Sequence, residues 1–262
     1  NLINLFRKMF ELISAINPED VSTYDNNLFV TIDIDWAHDT ILSNTIDILE
    51  KKDIKVTWFV THDTPLLKRL RNNSNFELGI HPNFNFLLQG DFKYGGTDSE
   101  VIDHFLKIVP GAKSVRSHSL TQSSRLSSLF SLKGLTHESN MFIPEYSKMD
   151  VKPFKHVSGM TICPYIWGDY LDFSLSCNKS NFKETVLLSG LKIFNFHPIH
   201  IYLNTDSIEM FESTRNLHYR PQELYKYRNM DLGVRDRFLE LLSVEYKKPM
   251  GRVSGKYKIE PE

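Results

Sequence analysis

Leu28-Phe29-Val30-Thr31-Ile32-Asp33-Ile34-Asp35-Trp36 is the stretch on which the fold of this 262-residue chain turns. Four of its first five residues are β-branched or aromatic, so 28–35 reads as a buried strand ending in two carboxylates. Residues two apart on a strand share a face, so Asp33 and Asp35 project together unless the strand ends and turns between them. Two like charges that close repel, and burying them is costly without a cation or a shared proton. One solution is a divalent metal held by one acid, with the other acting as base on a metal-bound water. The other is a strand end whose acids cap the next helix.

Outward from this run, β-rich segments alternate with helical ones. Helix is expected over 40–52, where Leu42, Ile46 and Leu49 recur at helical spacing, and strand over 55–60. A helix follows at 65–71, with Pro65 suited to its first turn, and a third strand at 76–81. Helical periodicity resumes over 98–109 and stops at Pro110-Gly111. Strand is expected over 113–118, helix over 123–132, a short strand over 135–139, and a hairpin around Ser158-Gly159. Helix over 181–188, strand over 192–197 and a last helix over 234–246 complete the pattern. A polar, aromatic-rich insertion runs from about 204 to 230. Such alternation argues for an α/β fold with a parallel sheet, open or closed into a barrel, and the whole of 1–262 reads as one domain.

In a parallel sheet, chemistry belongs at the carboxyl ends of the strands. Asp33 and Asp35 end the first expected strand, and His62 follows the second. His81 ends the third, Arg116 and His118 the fourth, and His197 a late one. Ten histidines scattered at random would not collect at strand ends.

The net charge of −1 offers no basic excess for phosphates, which argues against nucleic acid as a partner. No apolar run approaches the roughly 20 residues that span a bilayer. The amphipathic segment 1–16 is expected to dock on the protein body. Only two cysteines, Cys163 and Cys177, and no visible leader pattern make a reducing, cytoplasmic compartment the expectation.

Taken in order, these residues resemble the polysaccharide deacetylases of carbohydrate esterase family 4, which share the NodB homology domain. TIDID at 31–35 is similar to that family's first motif, and Lys55-Val56-Thr57-Trp58-Phe59-Val60 to its second strand. Glu77-Leu78-Gly79-Ile80-His81 resembles the run leading to its first histidine, and Val115-Arg116-Ser117-His118 its arginine loop. Trp167-Gly168-Asp169 and Asn195-Phe196-His197-Pro198 echo its two closing motifs. The wording HPNF, VRSHSL and FNFHPIHIYLN looks closest to the WbmS-like deacetylases of O-antigen and capsule clusters. The resemblance covers about 28–203 and implies a distorted (β/α) barrel.

It also implies roles. Asp33 is the general base, Arg116 its partner, and His197 the general acid that protonates the leaving amine. Asp35 and His81 are metal ligands. The family's HxxxH pair is broken here, because Asn85 stands where the second histidine belongs, and an amide oxygen is a poor zinc ligand. His118, near the expected site, is the best replacement, ahead of His62 and His38. The cofactor is then one divalent ion held by Asp35, His81 and His118, with zinc the first choice. Asp169 orients Arg116, His200 is structural, and a backbone N–H near Ser119 serves the oxyanion. Trp36 and Trp167, with Tyr165, could stack on a sugar ring or simply pack.

The implied activity is hydrolysis of an N-acetyl or related acyl group on an amino-sugar unit in surface polysaccharide biosynthesis. A carbohydrate-binding or scaffolding protein with a weakened metal site competes with it, on the strength of Asn85. So does an amidohydrolase on a small amide, because a reaction centre does not name its substrate.

Overall fold

The computed structural model describes residues 10–35, 37–174 and 182–244. Trp36, Cys177, the first part of the amphipathic 1–16 segment and the end of the expected last helix lie outside them. The remainder of that segment does dock: Phe10 bridges to Leu28, and Ile13 and Ile16 are buried.

Strand β1 (Phe29–Asp33) is buried along its whole length and lies between two parallel neighbours, β2 (Val56–Val60) and β9 (Ile193–Phe196). Buried on both faces, a central parallel strand has no need of polar alternation, which is why FVTID and VTWFV read as continuous apolar runs. Next come β3 (Phe76–Ile80), β4 (Ser114–Val115), β5 (His137–Glu138), β6 (Phe154–Lys155), β7 (Thr161–Ile162) and β8 (Trp167–Gly168). The sheet order is β6-β7-β5-β4-β3-β2-β1-β9-β8, parallel throughout except for the β6–β7 hairpin.

β7 and β8 belong to one extended run, 161–168, that changes partners midway. Thr161, Cys163 and Tyr165 donate N–H bonds to Thr136, Glu138 and Met141 on the β5 side, whereas Ile166 donates to Ile193 on β9. That exchange brings the two ends of the sheet together as a distorted barrel of the NodB type, and it places Gly168 and Asp169 at the rim. Between β3 and β4 the backbones approach so closely that a Cβ at Gly79 would lie 2.5 Å from Ser114 Oγ.

The longer helices match the apolar spacing. α1 (Asp39–Lys52) buries Ile41, Leu42, Ile46 and Leu49, and α4 (Asp98–Ile108) buries Val101, Ile102 and Phe105. α2 (Leu67–Asn72), α3 (Asn85–Leu88), α5 (Ser124–Leu132), α6 (Asp169–Ser174) and α7 (Phe182–Val186) fill the other connections. Then follow α8 (Pro198–Leu203), α9 (Ile208–Ser213), α10 (Pro221–Leu224) and α11 (Val234–Leu241).

Two sequence expectations need correction. The strand expected over 113–118 ends at Val115, because the chain there turns into the barrel and buries Arg116 completely. The strand expected over 28–35 stops at Asp33, so Asp35 sits in a turn. PIHIYL at 198–203, a stretch without an expectation of its own, is helix α8, with Pro198 at its first position.

The 204–230 insertion is a packed cap rather than a loose excursion. Its Phe211, Leu217 and Leu224 bury together with Ile41 of α1 and Ile199, Tyr202 and Leu203 of α8. Asn204 ties its two ends. Its Nδ2 donates to the carbonyls of Asn229 and Asp231 and to Asp236, and its Oδ1 accepts from the N–H of Arg235. A Cβ at Gly233 would collide with the Asn204 carbonyl, so only glycine fits that closure.

Candidate metal centre and catalytic pocket

Because β1 ends between them, the two acids of the opening motif serve separate clusters. Asp35 is not a helix cap: that position belongs to His38, whose Nδ1 accepts from the N–H of Thr40. Instead, Asp35 Oδ2 lies 3.0 Å from His81 Nε2 and 3.0 Å from His118 Nδ1. One donor atom from each residue falls within 4.8 Å of the others. Burial works against the Asp35 carboxylate, but the two imidazoles hold it well below the usual carboxylate range. His118 is correspondingly raised, Asp35 outweighing its burial.

Two nitrogens and one carboxylate oxygen form a donor set suited to a borderline divalent ion such as zinc, with coordination positions left for water or substrate. Two imidazole nitrogens aimed at one carboxylate oxygen require protons between them, and a cation can take the protons' place. The set therefore fits the ion that the resemblance implies. His81 is positioned by packing, edge-on to His118 at 5.6 Å between ring centroids and beside Phe59, and its buried Nδ1 has no hydrogen-bond partner among the described residues.

Asp33 stands in the second cluster. Arg116 Nη1 donates to its Oδ1 at 3.0 Å, and Asn195 Nδ2 donates to its Oδ2 at 2.9 Å. Arg116 also donates to Thr31 Oγ1, Asn195 Oδ1, and the carbonyl and hydroxyl of Ser139. Its guanidinium lies between the rings of Phe59 and Tyr165, at 4.6 and 4.8 Å. Burial would push Asp33 up; Arg116, with help from His81 and His197, holds it below its ordinary value. It is a carboxylate kept ionised and unable to rotate.

His197 closes the second cluster. Its Nδ1 is 2.7 Å from Asp169 Oδ1, and its own N–H donates to Asp169 Oδ2 at 2.6 Å. Nε2 is left 3.8 Å from Asp33 Oδ2. Burial disfavours the imidazolium, but Asp169, reinforced by Asp33, pushes the ring up to about 9. Both clusters open on one cavity of about 390 Å³, which Asp33, Asp35, His81, His118 and His197 all line. On that cavity, a deprotonated carboxylate and a protonated imidazole flank a three-ligand set, a layout that matches hydrolysis of an acyl bond.

A family model for WbmS-like polysaccharide deacetylases matches residues 30–215. The chain belongs to that family. Among solved structures, a protein from Bordetella bronchiseptica assigned as a polysaccharide deacetylase involved in O-antigen biosynthesis is 35% identical. That match covers 92% of this chain and 100% of the other, with a TM-score of 0.82. A Mycobacterium smegmatis protein assigned as a polysaccharide deacetylase is 11% identical, over 83% of this chain and 84% of its own, with a TM-score of 0.47. No protein in the curated set matches.

Within this WbmS-like chain the departure at Asn85 has a structural counterpart. Asn85 stays out of the ligand cluster and donates from Nδ2 to Ser119 Oγ at 3.0 Å. It thus props the turn that delivers His118, in which Ser119 and Leu120 both adopt left-handed φ, 55° and 53°. Two such residues in succession need outside support. A second prop is the His118 N–H, which donates to the Pro82 carbonyl.

Two assignments change. Asp169 holds His197 rather than Arg116, because helix α6 starts at Asp169 directly beneath the β9 terminus. Trp167 does not face substrate: it is 2% exposed, packed on Phe182, Phe194 and Phe196, with Nε1 donating to Asp172. Trp36 falls outside the described residues. Tyr165 lines the cavity while stacking on Arg116. His200 is buried among Tyr170, Phe173 and Phe211, and burial lowers it to about 3. His62 pairs with Thr61 and, like His38, takes no part in the ligand cluster.

The sequence reading missed Asn195, although its position two residues before His197 on one strand was signal enough. It also missed Tyr170, and it missed Phe211, Glu212 and Arg215 of the insertion, which wall the cavity. Nothing in their spacing announces that.

Proposed function

We propose that this protein is a divalent-metal-dependent hydrolase that removes an N-acyl group, acetyl first, from an amino sugar used in O-antigen-type polysaccharide biosynthesis. The observation that carries this reading is the shared cavity. The Asp35/His81/His118 donor set and the Asp33–His197 pair, 3.8 Å apart, face the same space. Membership of the deacetylase family supplies the bond type, and the Bordetella relative supplies the biosynthetic setting.

A divalent ion held by Asp35, His81 and His118 would acidify a water and polarise the acyl carbonyl. Asp33, fixed by Arg116 and Asn195, takes the proton of the attacking water as its oxygen bonds to the acyl carbon. His197, already protonated, gives its Nε2 proton to the sugar nitrogen as the carbon–nitrogen bond breaks. A carboxylic acid and a free amine leave, and the proton on Asp33 returns to His197, whose Nε2 lies within short reach. Tyr170 and Phe211 offer aromatic faces to the sugar ring, and Glu212 and Arg215 offer polar contacts at the mouth.

The binding-only alternative drew on Asn85. That motive weakens once His118 stands in the ligand cluster and Asn85 props its turn. No helix among the described residues is long and apolar enough to cross a membrane. A cytoplasmic enzyme acting on a soluble or lipid-carried sugar precursor accords with that. The test is acid and amine release from a panel of N-acetylated nucleotide sugars and oligosaccharides, with zinc added or chelated. Turnover lost on chelation, restored by zinc and abolished in Asp33→Asn is expected. Release that ignores both chelator and Asp33→Asn rejects the reading.

A further inference from the structure

Ser117 is one of two residues that join the two halves of the site along the chain; Ile34, between Asp33 and Asp35 at the end of β1, is the other. Arg116 before it clamps the base Asp33, and His118 after it faces Asp35. Ile34 is fixed by the sheet, its N–H donating to the Phe59 carbonyl, so the placement of His118 relative to the Arg116 clamp depends on how the Ser117 peptide is held. The Ser117 N–H donates to Asn140 Oδ1 at 2.6 Å, and Asn140 is 1% exposed. Asn140 Nδ2 donates in turn to Glu138 Oε1 at 2.9 Å, and the other Glu138 oxygen accepts from Ser127 Oγ at 2.7 Å. A carboxylate with a donor on each oxygen offers Asn140 only an acceptor. The amide is thus obliged to turn its NH₂ toward Glu138 and its oxygen toward Ser117.

We propose that Asn140, oriented by buried Glu138, is a positioning residue that locks the Ser117 peptide and so keeps the base and the metal ligands in register. This rests on the deacetylase reading above. Neither residue lines the cavity, so their influence on chemistry passes through Ser117 and through Ser139 between them, which accepts from Arg116. The turn beyond His118, with its two left-handed residues, gives the peptide reason to rotate once the lock is lost. Outer supports of this kind typically cost about 10–100-fold in metal affinity or activity when removed.

A donor–acceptor swap tests the idea without removing atoms. Asn140→Asp sets two carboxylates against each other. Adding Glu138→Gln restores complementarity, since a Gln amide can donate to the new carboxylate while its oxygen accepts from Ser127. Zinc affinity, read by competition with a chromophoric chelator, should fall about 10–100-fold in N140D. It should return to within about threefold of the parent in N140D/E138Q, with kcat following and KM nearly constant. Parent affinity in N140D, or no recovery in the double variant, overturns the proposal. A lowered denaturation midpoint with unchanged zinc affinity does so too, marking the chain as merely structural. If N140D does not fold, the double variant alone decides, because it should bind zinc as the parent does. A parent that takes up no zinc refutes the metal centre, and this proposal with it; a zinc-binding parent leaves the two failures distinguishable.

Discussion

Asp169→Asn removes the charge that sustains the proton on His197 while keeping nearly the same volume. In the parent, the ring rises from 6.5 to about 9 with burial opposing, which corresponds to roughly 3 kcal/mol favouring the imidazolium. At pH 7.5 an acid of pKa about 9 is almost fully protonated; one at or below 6.5 is protonated to no more than about a tenth. Losing the carboxylate should therefore lower kcat at least about tenfold near neutrality, from protonation alone. A further loss is expected because one amide oxygen must replace two that now hold the ring and the His197 N–H. The assay is acid release across pH 5.5–10. The alkaline limb of kcat, near 9 in the parent, should move down toward the ordinary histidine range in the variant. Stability offers a second readout. Because the folded pKa is raised, the stabilisation is fully present below about 6.5 and disappears as pH climbs through about 9. Denaturant midpoints of parent and variant should thus differ at pH 6 and converge at pH 10. An alkaline limb that stays near 9 in D169N would refute the assignment of His197 as the acid.

Other substitutions separate the remaining parts. Arg116→Met leaves Asp33 buried without its cation and should destabilise the fold by about 3–5 kcal/mol in urea denaturation. His118→Ala should lower zinc affinity by more than about 100-fold, beyond the range of outer supports, whereas unchanged zinc content would remove His118 from the ligand set. Asn85→Ala frees only the Ser119 prop and should cost closer to tenfold in zinc affinity. Tyr170→Ala should raise KM about three- to tenfold with little change in kcat, if the ring stacks on substrate.

What the chain announced in advance followed from local physics. The runs at 29–33 and 56–60 specify buried parallel strands, 76–80 a partly buried one, and α1 and α4 display their periodicity openly. The two-residue strands β4 and β5 do not, since their pairing is decided by neighbours distant in sequence. In the site, Asp33, Asp35, His81, Arg116, His118 and His197 were legible because strand ends collect them. Their sorting into two clusters was not, because it depends on β1 ending at Asp33 and on Arg116 turning inward. A tryptophan such as Trp167 gives no hint in sequence of whether its ring meets solvent or Phe194 and Phe196. Arg215 and Glu212 reach the cavity only because the insertion folds back over α8, which no spacing rule foresees.

Asn204 makes that insertion a cassette. Its amide gathers the entry and the exit of the segment at one point, while Phe211, Leu217 and Leu224 seat the segment between them on α1 and α8. Loops whose ends already touch can be lengthened, shortened or exchanged at small entropic cost. A chain that trades the stretch carrying Phe211, Glu212 and Arg215 would therefore remodel one wall of the cavity while the side chains at the strand ends stay as they are.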